Sequence, residues 1–208
     1  DLIVHWGADA DSTRAIYAGQ ESARWRNWIK QLGIKNIFID PFENYTACVH
    51  ADKWIAPRPG TDSAMAEAIG YVWLTEGTYD KEYVKTHTLG FDEWKSYLLG
   101  KTDGVLKDPG RAAEICGVPA RTIVALAREW ASKRTMLNAG NSGGMSGACR
   151  AAYATEWPRL VIYLQAMQGM GKPGVNIWGT NNGAPFNRDF YFPGYAEWGI
   201  NKYAQKSI

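Results

Sequence analysis

Asp40 and Asp62 stand twenty-two positions apart, and each follows an apolar run that stops at turn-forming residues. The runs are Ile37-Phe38-Ile39 before Asp40-Pro41, and Trp54-Ile55-Ala56 before Pro57-Arg58-Pro59-Gly60-Thr61-Asp62. A carboxylate at the end of a parallel strand is placed to accept hydrogen bonds from ribose hydroxyls. Asp40 can equally terminate its strand in a local turn, because Pro41 redirects the backbone. Asp62 has sharper chemistry. One ionised carboxylate accepts the N1–H and N2–H of a guanine side by side in a charge-assisted pair, and adenine cannot satisfy it in the same way. Asp62 is also an acceptable N-cap for the helix that follows.

Two further segments point at the same chemistry. The run Leu2-Ile3-Val4-His5-Trp6-Gly7-Ala8-Asp9 ends at a glycine, where a missing Cβ lets a phosphate or sugar come close. A tight turn with an Asp cap explains Gly7, Ala8 and Asp9 as well. The stretch is not G-x-G-x-x-G, and Asp9 and Asp11 stand where a nicotinamide fold would want amides. Asn138-Ala139-Gly140-Asn141-Ser142-Gly143-Gly144 lies between a strand and a helix, so its backbone N–H groups could hold a phosphate and its amides a heterocycle. The candidate binding residues are thus Trp6, Gly7, Ala8 and Asp9 from the first segment and Asp40 with Pro41 from the second. Pro59, Gly60 and Asp62 come from the third, and Asn138, Gly140, Ser142 and Gly143 from the fourth.

No residues suggest a protein-held metal: His50 and His87 have no partner at ligand spacing, and His5 reads as a core group inside a strand. No G-x-S-x-G or paired nucleophile and base is present, so the chain is expected to bind a reactive group rather than to be one.

The elements that must position these residues follow from periodicity. Apolar runs at 1–7, 34–40, about 53–56 and 135–138 predict strands of a parallel sheet. A helix is expected from Ser22 to Leu32, with Trp25, Trp28, Ile29 and Leu32 at i, i+3, i+4, i+7 and Gly33 as its C-cap. A short helix over 45–50 and a long one from Asp62 or Ser63 to Leu74 flank the third strand. The long helix presents Met65, Ala66, Ile69, Val72 and Trp73 on one face. Helices near 81–86, 92–99, 111–116 and 120–133 make the middle, about 78–133, a charged helical insertion or lid. A last helix spans about 150–170, kinked at Pro158 or starting at Trp157. The fold class is α/β: four or five parallel strands with helices on both faces and a long aromatic-rich C-terminal loop. Residues 1–174 form the binding domain, and 175–208 form an extended segment packing on a neighbouring domain or near an active site.

Composition narrows the partners. A net charge of +2 spread over mixed-sign segments in 208 residues gives no basic stripe for a phosphate backbone, so nucleic acid is not expected. No apolar run reaches the roughly 20 residues of a membrane span. Cys48, Cys116 and Cys149 match neither a zinc spacing nor a disulfide framework, which suits buried thiols in a reducing, cytoplasmic compartment. The start at Asp1, directly before a strand, suggests a domain of a longer protein.

The run Ala51-Asp52-Lys53-Trp54-Ile55-Ala56-Pro57-Arg58-Pro59-Gly60-Thr61-Asp62, taken with Trp6-Gly7-Ala8-Asp9, Ile39-Asp40-Pro41 and Gln168-Gly169-Met170-Gly171-Lys172-Pro173-Gly174, resembles the dimethyl sulfoxide reductase family of molybdenum and tungsten enzymes. The resemblance covers nearly the whole chain. It implies an enzyme of which this α/β layer holds one of two molybdopterin guanine dinucleotides, with Asp40 and Asp62 on the guanosine. The metal, molybdenum with tungsten as alternative, would take its protein ligand from another domain, and iron–sulfur clusters would lie in other domains or subunits. Phe42 stands where the family often has Arg, so that phosphate or ribose contact does not carry over.

Glu156-Trp157-Pro158-Arg159, Phe192-Pro193-Gly194-Tyr195 and the aromatic-rich end resemble the transhydroxylase branch, which moves a hydroxyl between phenolic rings (pyrogallol to phloroglucinol). That implies a phenolic substrate, an iron–sulfur small subunit, and Tyr191 or Tyr195 as a proton donor near the substrate. Packing of these tyrosines against a neighbouring domain explains them equally. The alternatives are an S-/N-oxide or oxyanion reductase, a formate dehydrogenase, a nicotinamide-dependent dehydrogenase, or a non-catalytic interaction module.

Overall fold

A computed structural model describes residues 1–9, 21–139, 148, 156–173 and 175 of the chain. Four strands, β1 (Leu2–Trp6), β2 (Lys35–Ile39), β3 (Lys53–Ile55) and β4 (Thr135–Asn138), form one parallel sheet in the order β3-β2-β1-β4. The register pairs Trp6 with Ile39, Ile39 with Ile55, and His5 with Asn138. Every residue of β1 is buried, as its unbroken apolar run requires of a central strand.

Connections explain the layering. The chain steps from β1 to β2 to β3 in one direction through α1 (Glu21–Gln31) and α2 (Tyr45–His50). It then returns past β1 to β4 through α3 (Asp62–Glu76), α4 (Lys81–His87), α5 (Phe91–Leu98), α6 (Pro109–Cys116) and α7 (Ala120–Ala131). Right-handed crossovers in opposite directions put the two helix sets on opposite faces. The reversal falls between β1 and β4, the switch point at which open α/β sheets take ligands outside the carboxyl ends of their strands.

The period of two along the strands sorts their side chains. Leu2, Val4, Trp6, Ile37, Ile39, Ile55 and Leu137 join the apolar core with α3, α6, α7 and α8 (Trp157–Met167). Met65, Ala66, Ile69, Val72 and Trp73 of α3 are buried in it, as their spacing predicts. Ile123, Leu126, Ala127 and Trp130 of α7 follow the same spacing and are also buried. The Trp73 indole meets Trp130 edge-on at 5.1 Å and donates to the Ala127 carbonyl at 2.7 Å. Each of the larger aliphatic side chains buried here contributes roughly 1.5–3 kcal/mol. The helical middle is therefore no detached lid: α6 and α7 complete the core.

The alternate residues on β1, β2 and β4 are more polar. His5 stacks on Phe38 with ring centroids 4.2 Å apart, and hydrogen-bonds Asn36 at 3.1 Å and Asn138 at 2.9 Å. Of the stripe expected along the first helix, Trp28 on α1 and Leu32 just past its end are 52% and 58% exposed. The helix forms as its period predicts, but these two positions stay at the surface.

Local chemistry sets the helix starts. Asn44, Asp80 and Asp108 cap α2, α4 and α6 by accepting from Ala47, Tyr83 and Arg111 N–H, and Pro109 occupies the first turn of α6. Among the described residues α8 begins at Trp157 with Pro158 in its first turn, where a missing N–H costs nothing. Between α5 and α6 the Lys107 ammonium is buried against Tyr97, 4.2 Å from the ring centroid, and donates to Asp103 and the Val105 carbonyl, each at 2.6 Å. The Tyr97 hydroxyl donates to Glu67 at 2.9 Å, and Glu67 pairs with Arg111 at 3.2 Å, which ties α3 to α5 and α6. Among the described residues no helix is long and apolar enough to cross a membrane.

Candidate nucleotide-binding site

The carboxyl ends of β1, β2 and β3 meet the N-terminus of α3 at one edge of the sheet. Gly7, directly after β1, has φ +61° and donates its N–H to the Ile39 carbonyl at 2.8 Å. A left-handed backbone there needs glycine and keeps the strand end bare. Ala8 is buried, and the half-buried Asp9 accepts from the Thr46 hydroxyl of α2 at 2.6 Å.

Asp40 follows β2 and is 8% exposed. Its carboxylate accepts from Asn44 Nδ2 at 3.2 Å and from the Phe42 N–H at 3.4 Å, while its carbonyl accepts from the Trp54 indole at 2.9 Å. Burial raises its pKa. The hydrogen bonds from Phe42 and Asn44 oppose that rise, and the charges of Asp62 and Asp9 add to it. The local-turn reading of Asp40 is thus true of the backbone, yet it leaves a buried carboxylate in the field of two others. Pro41 and the Phe42 ring are exposed beside it.

Pro59 and Gly60 form an exposed turn, with Gly60 at φ +76°, that delivers the chain into α3. The cap position is Thr61, which makes no side-chain cap, and Asp62 is the first helical residue. Its carboxylate does not cap the helix through a neighbouring N–H. It reaches across to β1 and accepts from the Trp6 indole at 2.8 Å. Asp62 is 6% exposed, and burial raises its pKa against the lowering effect of the Trp6 hydrogen bond. Trp6 itself is fully buried, its ring 4.6 Å from that of Trp157. Its side chain therefore faces the core and Asp62, not an incoming ligand.

Asn138 ends β4 and gives its amide to His5. Gly140, Ser142 and Gly143, and likewise Tyr191 and Tyr195, lie outside the described residues. Among the described residues no group of three or more His, Cys, Asp or Glu side chains could hold a metal ion.

The edge thus gathers three acidic side chains, Asp9, Asp40 and Asp62, two of them buried and held back from ionisation. Such a surface repels phosphate and attracts hydrogen-bond donors. The hydroxyls of a ribose and the N1–H and N2–H of a guanine are donors of that kind. Sequence reasoning missed Asn44 and Thr46, which donate to the carboxylates of Asp40 and Asp9, and Trp54, which holds the Asp40 backbone carbonyl. Asn44 three residues before Ala47 was a readable cap signal. The indoles of Trp6 and Trp54 are pure donors that need acceptors when buried, which was the available hint.

The family model described as molybdopterin oxidoreductase matches residues 1–197. The chain is 54% identical over 201 residues to the pyrogallol hydroxytransferase large subunit of Pelobacter acidigallici, covering 97% of this chain and 23% of that protein. It is 35% identical over 193 residues to trimethylamine-N-oxide reductase of Haemophilus influenzae, covering 89% of this chain and 23% of that protein. The chain thus spans about a quarter of the length of these relatives. The solved structure of acetylene hydratase from Pelobacter acetylenicus superposes with a TM-score of 0.67 at 22% identity, over 85% of this chain and 22% of that one, and shows the same fold.

Proposed function

The chain belongs to the molybdopterin oxidoreductase family, and from that premise we propose that it holds the guanosine end of a molybdopterin guanine dinucleotide in the catalytic subunit of a molybdenum enzyme. The pair of buried acids supports this reading: Asp40 follows β2, Asp62 opens α3, the charge of Asp62 adds to the raised pKa of Asp40, and neither acid shows a cationic partner among the described residues. Asp62 would take the guanine N1–H and N2–H, and Asp40 the ribose hydroxyls. The exposed turns at Pro41 and Pro59-Gly60 leave the nucleoside room, and the diphosphate would run toward the glycine-rich segment around Gly140, Ser142 and Gly143.

When bound, the molybdenum–dithiolene centre supplies the redox chemistry. The contribution of this chain is orientation: a rigid parallel sheet fixes the carboxylates, and the carboxylates fix the far end of the cofactor. Membership of a family of redox enzymes sets aside the nicotinamide-dependent dehydrogenase and the non-catalytic module. The 54% identity to a pyrogallol hydroxytransferase large subunit, against 35% to an N-oxide reductase, favours transfer of a hydroxyl between phenolic rings as the activity of the whole protein. An iron–sulfur small subunit, a phenolic substrate and a proton-donating role for Tyr191 or Tyr195 go with that reading. Cys116 is buried as expected and Cys48 is exposed instead, and the free thiols of both support a reducing, cytoplasmic compartment.

The test is binding of guanosine 5′-diphosphate and of NAD to the full-length protein made without its cofactor. Guanosine preference is expected, with Asp62→Asn weakening it about 10- to 100-fold, the range of a lost charged hydrogen bond. NAD preference, or indifference to the substitution, overturns the reading. Metal analysis of the protein made with its cofactor should find molybdenum.

A further inference from the structure

Trp6 is the residue whose role the nucleotide reading leaves open. A strand-end side chain that only filled the core could be Phe or Leu, and either would pack against Trp157. Trp6 instead carries a donor, and that donor ends on Asp62 Oδ1 at 2.8 Å, across 56 positions of sequence. An indole N–H can serve nothing but an acceptor. Both partners are buried, Trp6 at 0% and Asp62 at 6% exposure, so the bond is shielded from competing water.

We propose that Trp6 is a positioning residue for base selection: its indole N–H locks the plane of the Asp62 carboxylate so that both oxygens meet the guanine edge together. The inference rests on the guanosine reading of Asp62. Two parallel hydrogen bonds to N1–H and N2–H demand that the carboxylate lie in the plane of the base, whereas a single bond tolerates rotation. The terminal torsion of an aspartate is soft and broad. The indole removes that freedom, and its own orientation is held by the Trp157 ring at 4.6 Å, at the start of α8. The chain of contacts runs from α8 through β1 to the first residue of α3. The other titratable groups around Asp62 are Asp40 after β2 and Cys116 at the end of α6, with Arg58 beside Cys116. None of them donates a hydrogen bond to the Asp62 carboxylate.

The consequence is selectivity, not affinity alone. Inosine keeps N1–H and lacks the 2-amino group, so it reports the single-bond case. In the full-length protein made without its cofactor, guanosine 5′-diphosphate should bind more tightly than inosine 5′-diphosphate, and Trp6→Phe should shrink that ratio by about ten-fold, the weight of one charge-assisted hydrogen bond. A purely structural Trp6 would weaken both nucleotides alike and leave the ratio unchanged, which overturns the proposal. Should Trp6→Phe fail to fold, Trp157→Phe, which loosens the indole but keeps its N–H, should shrink the ratio to a smaller extent. An unchanged ratio there overturns the proposal in the same way. Absence of any guanosine preference in the unsubstituted protein overturns the guanosine reading itself, a separate outcome from a ratio that Trp6 does not control.

Discussion

The His5 ring joins three strands in one tautomer: Nε2–H donates to Asn36 Oδ1 at 3.1 Å, and Nδ1 accepts from Asn138 Nδ2 at 2.9 Å. Asn36 Nδ2 is committed to the Ile34 carbonyl at 2.9 Å, so its oxygen faces the ring and the direction of both bonds follows. Asn138, a candidate ligand contact from sequence, is thereby a tether between β4 and β1.

Replacing His5 by Phe keeps a ring against Phe38 but strands the Asn36 oxygen and the Asn138 amide in a buried layer. Leaving buried polar groups without partners costs about 1–3 kcal/mol each. Urea unfolding should show His5→Phe destabilised by at least about 1 kcal/mol, and His5→Gln, which keeps a donor and an acceptor, destabilised less.

The raised pKa values of Asp40 and Asp62 fix a sign for pH dependence. The folded protein holds protons that the unfolded chain, with the ordinary value of 3.8, has released. Their stabilising contribution is full below that value and is lost as pH rises through the folded values. Glu129 and Asp80, lowered by their lysine partners, slope the other way, so the comparison must be against a variant. Asp40→Asn/Asp62→Asn should gain stability relative to the unsubstituted protein as pH rises above about 4, read from denaturant midpoints. Guanosine donors favour the charged carboxylates, so nucleotide binding should release protons in the same range, measurable by calorimetry in two buffers.

Lys107 is 1% exposed and surrounded by Asp103, the Val105 carbonyl and the Tyr97 ring. Its stem packs while its charge is answered on three sides. Lys107→Ala should lower the unfolding free energy by about 2–4 kcal/mol, through lost packing and lost partners together. Tyr97→Phe keeps the ring and removes only the donor to Glu67, so about 1–2 kcal/mol is expected from the same denaturation assay.

Much of the scaffold could be read from local pattern. β4 was expected at 135–138 and occurs at Thr135–Asn138, and α2 and α3 begin where their spacing placed them. Both depend on neighbours within a few residues, which periodicity reports. The position of Asp40 directly after β2 was also legible, because a strand end is marked by the residues that stop it. What sequence could not give was pairing across distance. Nothing near Asp62 says that its carboxylate meets an indole fifty-six residues earlier. The burial of Lys107 was hidden for the same reason, since its partners become a cage only once α5 and α6 have packed. The stripe on α1 marked a helix correctly, but a period tells which residues share a face, not what covers that face.

Strand order has a consequence during synthesis. By the end of α3 a growing chain has made β1, β2 and β3 together with Asp40 and Asp62, while the far flank of β1 waits for Thr135–Asn138. Until those residues emerge, the middle strand of the finished sheet is an open margin of unpaired amides and carbonyls, the kind of template on which nascent polypeptides associate. That flank stays open while the roughly sixty residues between α3 and β4 are still being translated.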